Sequence, residues 1–230
     1  MKEFLELLGL QPRIEFDRPG WVDLAGGSGL VALHSAATSD TGGRPGETRL
    51  SFEVSDADAT AQALREHGVE ATVVDESFGR FLELTDPLGA PMIADEVQHD
   101  LYGYTRHAVD GTRPGPVVVP VRFTDEAVAY DGFLRALGLV GTPDPGGYAT
   151  YAAPGGGEVG VHYVYGDDLP VVRSEHATAH LTLAVDGGLD ELQNALETRG
   201  FALERYDEDF GSFIDVTDPD GQSVQVHQRS

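Results

Sequence analysis

The chain has no cysteine, which excludes disulfides, thiolate metal sites and cysteine nucleophiles. It has one lysine, Lys2, beside fourteen arginines. With 39 Asp and Glu against 15 Lys and Arg, its formal net charge is −24 at pH 7. Binding to nucleic acid or to an anionic membrane needs clustered Lys and Arg, so neither is an expected partner. The sequence has no apolar run of about 18 residues, the length a membrane-crossing helix needs. The opening MKEFLELLGLQP is too charged, and its apolar stretch too short, for a signal peptide. The default expectation is therefore a cytoplasmic protein with an acidic, solvated surface.

Hydrophobic residues make up 40% of the 230. That suits a packed globular protein of one large or two small domains. An internal repeat favours two. FLELLGL (Phe4 to Leu10) returns as FLRALGL (Phe133 to Leu139), QALREHG (Gln62 to Gly68) as NALETRG (Asn194 to Gly200), and FGRFLELTDPLGAPM (Phe78 to Met92) as FGSFIDVTDPDGQSV (Phe210 to Val224). The offsets are 129, 132 and 132 residues. Matches in the same order at nearly one offset indicate duplication. The expected domains are residues 1–98 and 116–230, joined by a turn-rich linker over 99–115.

The second copy gives the element order. Val117 to Phe123 reads as a strand, and an amphipathic helix from about Asp125 to Leu137 stops at Gly138. GYATYAAP and GEVGVHYVY follow as strands. HLTLAVD (His180 to Asp186) alternates at period two, and Leu189 to Arg199 has helical spacing. FALERYD, SFIDVTD and QSVQVHQ close the copy as three strands. Asp218 to Gly221 is a hairpin turn. The first copy starts almost on its helix, so the strand matching Val117 to Phe123 is missing: either the start site is misassigned or the strand is lost.

These elements resemble the vicinal-oxygen-chelate superfamily: a helix ending in FL-x-x-LGL, a later A-L-x-x-x-G helix, and F-G-x-F-x-x-x-TDP-x-G before a last strand. The family includes glyoxalase I, fosfomycin-resistance enzymes, extradiol dioxygenases, methylmalonyl-CoA epimerase and bleomycin-binding proteins. The resemblance implies an α+β fold of two tandem glyoxalase-like domains. Each is built from paired βαβββ modules whose mainly antiparallel sheets curve around an open cleft, with helices outside. It leaves the reaction open, because one fold hosts many chemistries.

In catalytic relatives the resemblance implies a metal held by the first strand, by a histidine opening the second module, and by a glutamate on the last strand. His180 matches the histidine position. Gln225 stands where the glutamate is expected, and Val118, near the first ligand position, cannot bind metal. Period-two alternation sets the cleft-facing residues. It puts His180, Thr182 and Ala184 in the cleft, with Gln225 and His227, with Gly160, His162 and Val164, and with Val118, Pro120 and Arg122. His162, His180 and Gln225, with or without His227, form an irregular ligand set for a divalent Fe, Mn, Ni or Zn in the second domain. His176 reads as a loop residue.

In the first copy Arg49 replaces the histidine and Ile93 the glutamate, while His34 is equivalent to His162. Arg49 would repel a cation; it would hold a ligand's anionic group or pair with Glu53 or Glu83. The aromatics Trp21, Phe81, Tyr148, Tyr151 and Phe213 are core residues or, for Trp21 and Tyr151, platforms for a flat ligand. Expected ligand-binding residues are His162, His180, Arg122, Gln225, Tyr151 and Arg49. Three functions follow: a metal-free small-molecule binder of the bleomycin-binding kind, which is preferred; a metal-dependent lyase, isomerase or dioxygenase with an irregular site; and a metal-free enzyme with His180 or His162 as general base. A homodimer is compatible with each.

Overall fold

The computed structural model describes residues 1–18, 20–39, 43–76, 79–99, 101–112, 114–144, 147–164 and 178–229. The elements recur as the repeat requires. Helix α1 (Lys2–Leu7) opens the chain and leads to β1 (Gln11–Phe16), β2 (Trp21–Ala25) and β3 (Leu30–His34). A full module follows: β4 (Phe52–Val54), α2 (Ala57–Glu66), β5 (Ala71–Glu76), β6 (Gly79–Thr85) and β7 (Pro91–Glu96). The short β8 (Tyr104–Arg106) lies in the segment joining the repeats. The next module is β9 (Val117–Thr124), α3 (Ala127–Ala136), β10 (Val140–Gly141), β11 (Tyr148–Ala152) and β12 (Glu158–Tyr163). The last is β13 (His180–Asp186), α4 (Asp190–Thr198), β14 (Leu203–Glu208), β15 (Gly211–Thr217) and β16 (Ser223–Arg229). The fold is α+β with open, mainly antiparallel sheets. In each complete module the first strand runs parallel to the last, as β4 does to β7, β9 to β12 and β13 to β16. Among the described residues no helix is long and apolar enough to cross a membrane.

The chain packs into two compact units that are not contiguous in sequence. The first comprises Met1–Glu47, Leu101–Pro120 and His180–Ser230, the second Thr48–Asp100 and Val121–Ala179. Each unit draws on both repeats.

In the first unit, Phe4, Leu5, Leu8, Val22 and Leu24 share a core with Val118, Leu181, Leu183, Leu196, Ile214 and Val226. Phe4 and Phe201 meet at 5.0 Å between ring centroids. The short β8 extends the sheet on its β1 side, giving the order β3-β2-β1-β8. Tyr104 of β8 packs on Phe16 at 4.8 Å and edge-on to Trp21 at 5.5 Å. The start of β9 docks on the β2–β3 turn: Gly27 N–H donates to the Pro116 carbonyl at 2.8 Å and Val118 N–H to the Ser28 carbonyl at 2.8 Å. A Cβ on Gly27 would lie 2.4 Å from the Gly115 carbonyl oxygen, so only glycine permits this approach.

In the second unit, Leu64, Leu82, Met92 and Ala94 share a core with Tyr130, Phe133, Leu134, Tyr151, Val161 and Tyr163. Its sheets are ordered β4-β7-β6-β5 and, from β9 outward, β9-β12-β11-β10. The two Asp-Pro turns share one design. Asp86 Oδ1 accepts from Leu88 and Ala90 N–H, and Asp218 Oδ1 from Asp220 and Gln222 N–H. Gly89 and Gly221 close them at φ of 84° and 82°.

Candidate functional site

The first unit carries a polar row on the last module's sheet, on the face away from its core. Leu181, Leu183, Ile214, Val216, Val224 and Val226 turn inward, so pleating sends His180, Thr182, Phe213, Asp215, Ser223, Gln225 and His227 to the other face. The registers place Thr182 beside Gln225, Ala184 beside His227, and Asp215 and Phe213 across from Gln225 and His227.

The hydrogen bonds on this face converge on Asp215. Ser223 Oγ donates to Asp215 Oδ1 at 2.7 Å and Gln225 Nε2 to Asp215 Oδ2 at 3.4 Å. His180 Nε2 lies 3.3 Å from Ser223 Oγ, and His227 Nε2 lies 3.2 Å from Gln225 Oε1. Burial lowers the pKa of His180, against the opposing pull of Asp215 and the Ser223 backbone. Burial also lowers that of His227, helped by repulsion from His180. Both imidazoles are thereby held toward the neutral form. The Thr182 hydroxyl is buried and has no hydrogen-bond partner among the described residues.

An aromatic stack borders the row. Phe213 stacks on His227 at 4.8 Å and on Tyr206 at 4.9 Å, with interplanar angles of 15° and 19°. Phe210 stacks on Phe213 at 6.0 Å and is 75% exposed. A hydrogen-bonding row beside stacked rings suits a flat molecule with polar substituents.

The remaining predicted residues lie elsewhere. His162, in the second unit, is exposed and contacts Phe123 and Tyr148 at 5.3 and 6.4 Å. Arg49, in the same unit, pairs by an isolated β-bridge with Thr178. Arg122 and Tyr151 depart from the expected cleft face. Arg122 is buried, its Nη2 2.9 Å from Asp86 Oδ2 and its Nε 2.9 Å from the Tyr130 hydroxyl, while Nη1 donates to the Thr178 carbonyl at 3.1 Å. Burial works against its charge, but Tyr130 and Asp86 outweigh it and the pKa is raised. Val118 lies in the first unit's core. The phase of β9 is thus the reverse of the expected one, with Val118 and Arg122 turned to the cores. Tyr151 is fully buried and bonds to Asp131 at 3.0 Å. His176 lies outside the described residues. Trp21 and His34 line a different cavity of about 680 Å³ in the first unit, with Phe16, Arg18, Thr105 and His107.

The donors present depart from the expected metal set. Gln225 is neutral, and β9 offers only valines and Phe123 on its other phase. No group of three or more His, Asp or Glu among the described residues is placed to hold a metal.

Similarity to known proteins comes from the fold. No protein-family model matches the chain, and no curated protein matches it by sequence. Solved structures do match. A catechol 2,3-dioxygenase has a TM-score of 0.61 at 13% identity, covering 98% of this chain and 81% of its own. A 2,3-dioxygenase from a Pseudomonas species has a TM-score of 0.61 at 12% identity, covering 97% and 84%. Homoprotocatechuate 2,3-dioxygenase from Arthrobacter globiformis has a TM-score of 0.60 at 14% identity, covering 99% and 74%. At these identities the likeness shows the fold, which this chain shares with the 2,3-dioxygenases. His180 and Gln225 lie on one face of β13 and β16. Asp215 and Ser223 complete the row and are not among the expected residues. Asp215 is signalled by its place between Ile214 and Val216, the same alternation that marks Gln225.

Proposed function

We propose that the chain binds a flat, ring-bearing small molecule on the β13–β16–β15–β14 face of the first unit. The observation that carries this reading is the polar row of His180, Ser223, Asp215, Gln225 and His227 beside the Tyr206–Phe213–His227 stack. The stack offers rings to a ring, the row offers groups to polar substituents, and the Thr182 hydroxyl awaits a partner. Gln225, a neutral amide where a carboxylate is expected, favours binding over metal-dependent turnover. Calorimetric titration with catechol tests the reading: saturable binding is expected, with at least tenfold loss in Phe213→Ala. Binding unchanged in that variant, or absent from the wild type, would end it.

The second reading is a metal-dependent enzyme, a ring-cleaving dioxygenase before a lyase or isomerase. The full-length likeness to catechol and homoprotocatechuate dioxygenases favours it. Adding Fe(II) or Mn(II) to the purified chain with catechol and following oxygen uptake separates the two. Metal-dependent uptake lost in His180→Ala would establish the enzyme in place of the binder.

A further inference from the structure

We propose a second small-molecule site in the first unit, in the cavity beside β1, β2 and β8, that takes a singly charged carboxylate with an apolar body. It stands on observations separate from the polar row of β13 and β16. The cavity holds about 680 Å³, within the roughly 300 to 1,000 Å³ common for small-molecule sites. Phe16, Trp21, Val22 and Leu33 give it apolar walls, and Arg18 lies on its polar rim. The walls are braced from behind, because Tyr104 of β8 packs on Phe16 at 4.8 Å and edge-on to Trp21 at 5.5 Å.

Arg18 supplies the charge. With 39 Asp and Glu against 15 Lys and Arg, carboxylates are plentiful in this chain. Arg13, Arg80, Arg122, Arg135 and Arg205 each pair with one. Among the described residues, the guanidinium groups of Arg18, Arg65 and Arg199 have no hydrogen-bond or ion-pair partner. Arg65 lies in the last turn of α2 and Arg199 caps α4, and the negative end of a helix attracts a cation. Arg18 is at no helix end; it lines the cavity. The two carboxylates of the lining are engaged. Glu15 accepts from Lys2 at 2.8 Å and faces His107 at 3.3 Å, and Asp17 accepts from the Thr105 hydroxyl at 3.0 Å. A guanidinium offers a carboxylate two parallel N–H donors, and the apolar walls cover the rest of the ligand. Glu15 and Asp17 also set a limit on its charge: beside them a dianion meets about twice the repulsion of a monoanion.

Trp21 is the one tryptophan of the chain, so its emission reads this cavity directly. Cyclohexanecarboxylate and the neutral cyclohexanecarboxamide, which do not absorb with indole, are titrated into the full chain. The carboxylate should move the emission saturably to shorter wavelength and bind roughly tenfold more tightly than the amide, as a charge-assisted hydrogen bond allows. Arg18→Gln should erase that preference and Arg18→Lys should keep part of it. Arg18 is exposed, so both variants should melt with the wild type. Inorganic phosphate at equal concentration should not displace the carboxylate. An emission unmoved by either compound removes the site. Equal binding of the two compounds, a preference that survives Arg18→Gln, or displacement by phosphate overturns the assignment of a monocarboxylate to Arg18.

Discussion

Arg122 reaches Asp86 at 2.9 Å in the core of the second unit, and neither side chain is more than 2% exposed. The carboxylate also accepts from the Tyr130 hydroxyl and caps its own turn. Removing one partner of a buried pair strands the other charge, at about 3 to 5 kcal/mol. Asp86→Ala is expected to cost that much in urea unfolding. Tyr130→Phe should cost about 1 kcal/mol, the worth of one hydrogen bond. Asp218→Ala removes the same turn cap, which no arginine among the described residues joins, and should cost clearly less than Asp86→Ala. Equal losses at 86 and 218 would show that the ion pair adds nothing.

Acid should destabilise the first unit through its histidines. The folded pKa values of His180 and His227 lie below the ordinary histidine value near 6.5. The unfolded chain therefore takes up protons first as pH falls. The stability these rings contribute is complete above about pH 6.5 and is lost as pH drops through the folded values. The groups facing them are Asp215, Ser223, Gln225 and each other. Between pH 7.5 and 5.0, the Tm of the wild type should fall more steeply than that of the His180→Gln/His227→Gln double variant. Parallel curves would refute this assignment.

Trp21 is the one tryptophan of the chain, and it touches Tyr104 edge-on. Its emission therefore reports whether β8 is in place. Tyr104→Ala should shift that emission to longer wavelength and cost about 1 kcal/mol, a typical value for an aromatic pair. An unchanged spectrum would mean that β8 does not cover the indole.

Two glycines should respond oppositely to alanine. Gly27→Ala would drive a Cβ into the Gly115 backbone at 2.4 Å and should destabilise. Gly132, inside α3, has nothing within 4 Å of an added methyl, and Gly132→Ala should stabilise by roughly 0.5 to 1 kcal/mol. Thermal melts of the two variants give the comparison, and a shift of the same sign in both would contradict it.

Much of the candidate face is legible in the sequence because β13 and β16 alternate cleanly, with one phase apolar. Leu181, Leu183, Val224 and Val226 mark the inner side, and His180, Gln225 and His227 follow from them. β9 defeats the same reasoning because Val117, Val118, Val119 and Val121 occupy both phases and set no direction. Arg122, the one polar marker there, is turned inward by Asp86 and Tyr130, and Asp86 lies 36 residues away. No local pattern carries that information. Tyr151 misleads for a related reason: an amphipathic ring suits a core with an Asp131 partner as well as a ligand. The composition of the compact units is also hidden, since repeats record local likeness and not which segments pack together.

The interleaving of those units has a temporal consequence. A chain emerging from the ribosome releases residues 1–47 first, yet their core partners Leu181, Leu196 and Val226 come last. The second unit, drawn wholly from 48–100 and 121–179, has every residue available earlier. During synthesis the N-terminal segment must wait with Phe4, Leu5 and Leu8 unburied while the inner unit is completed. A pulse of protease on stalled chains ending near residue 215, with residues 48–179 clear of the exit tunnel, should spare the middle of the protein and cut its beginning.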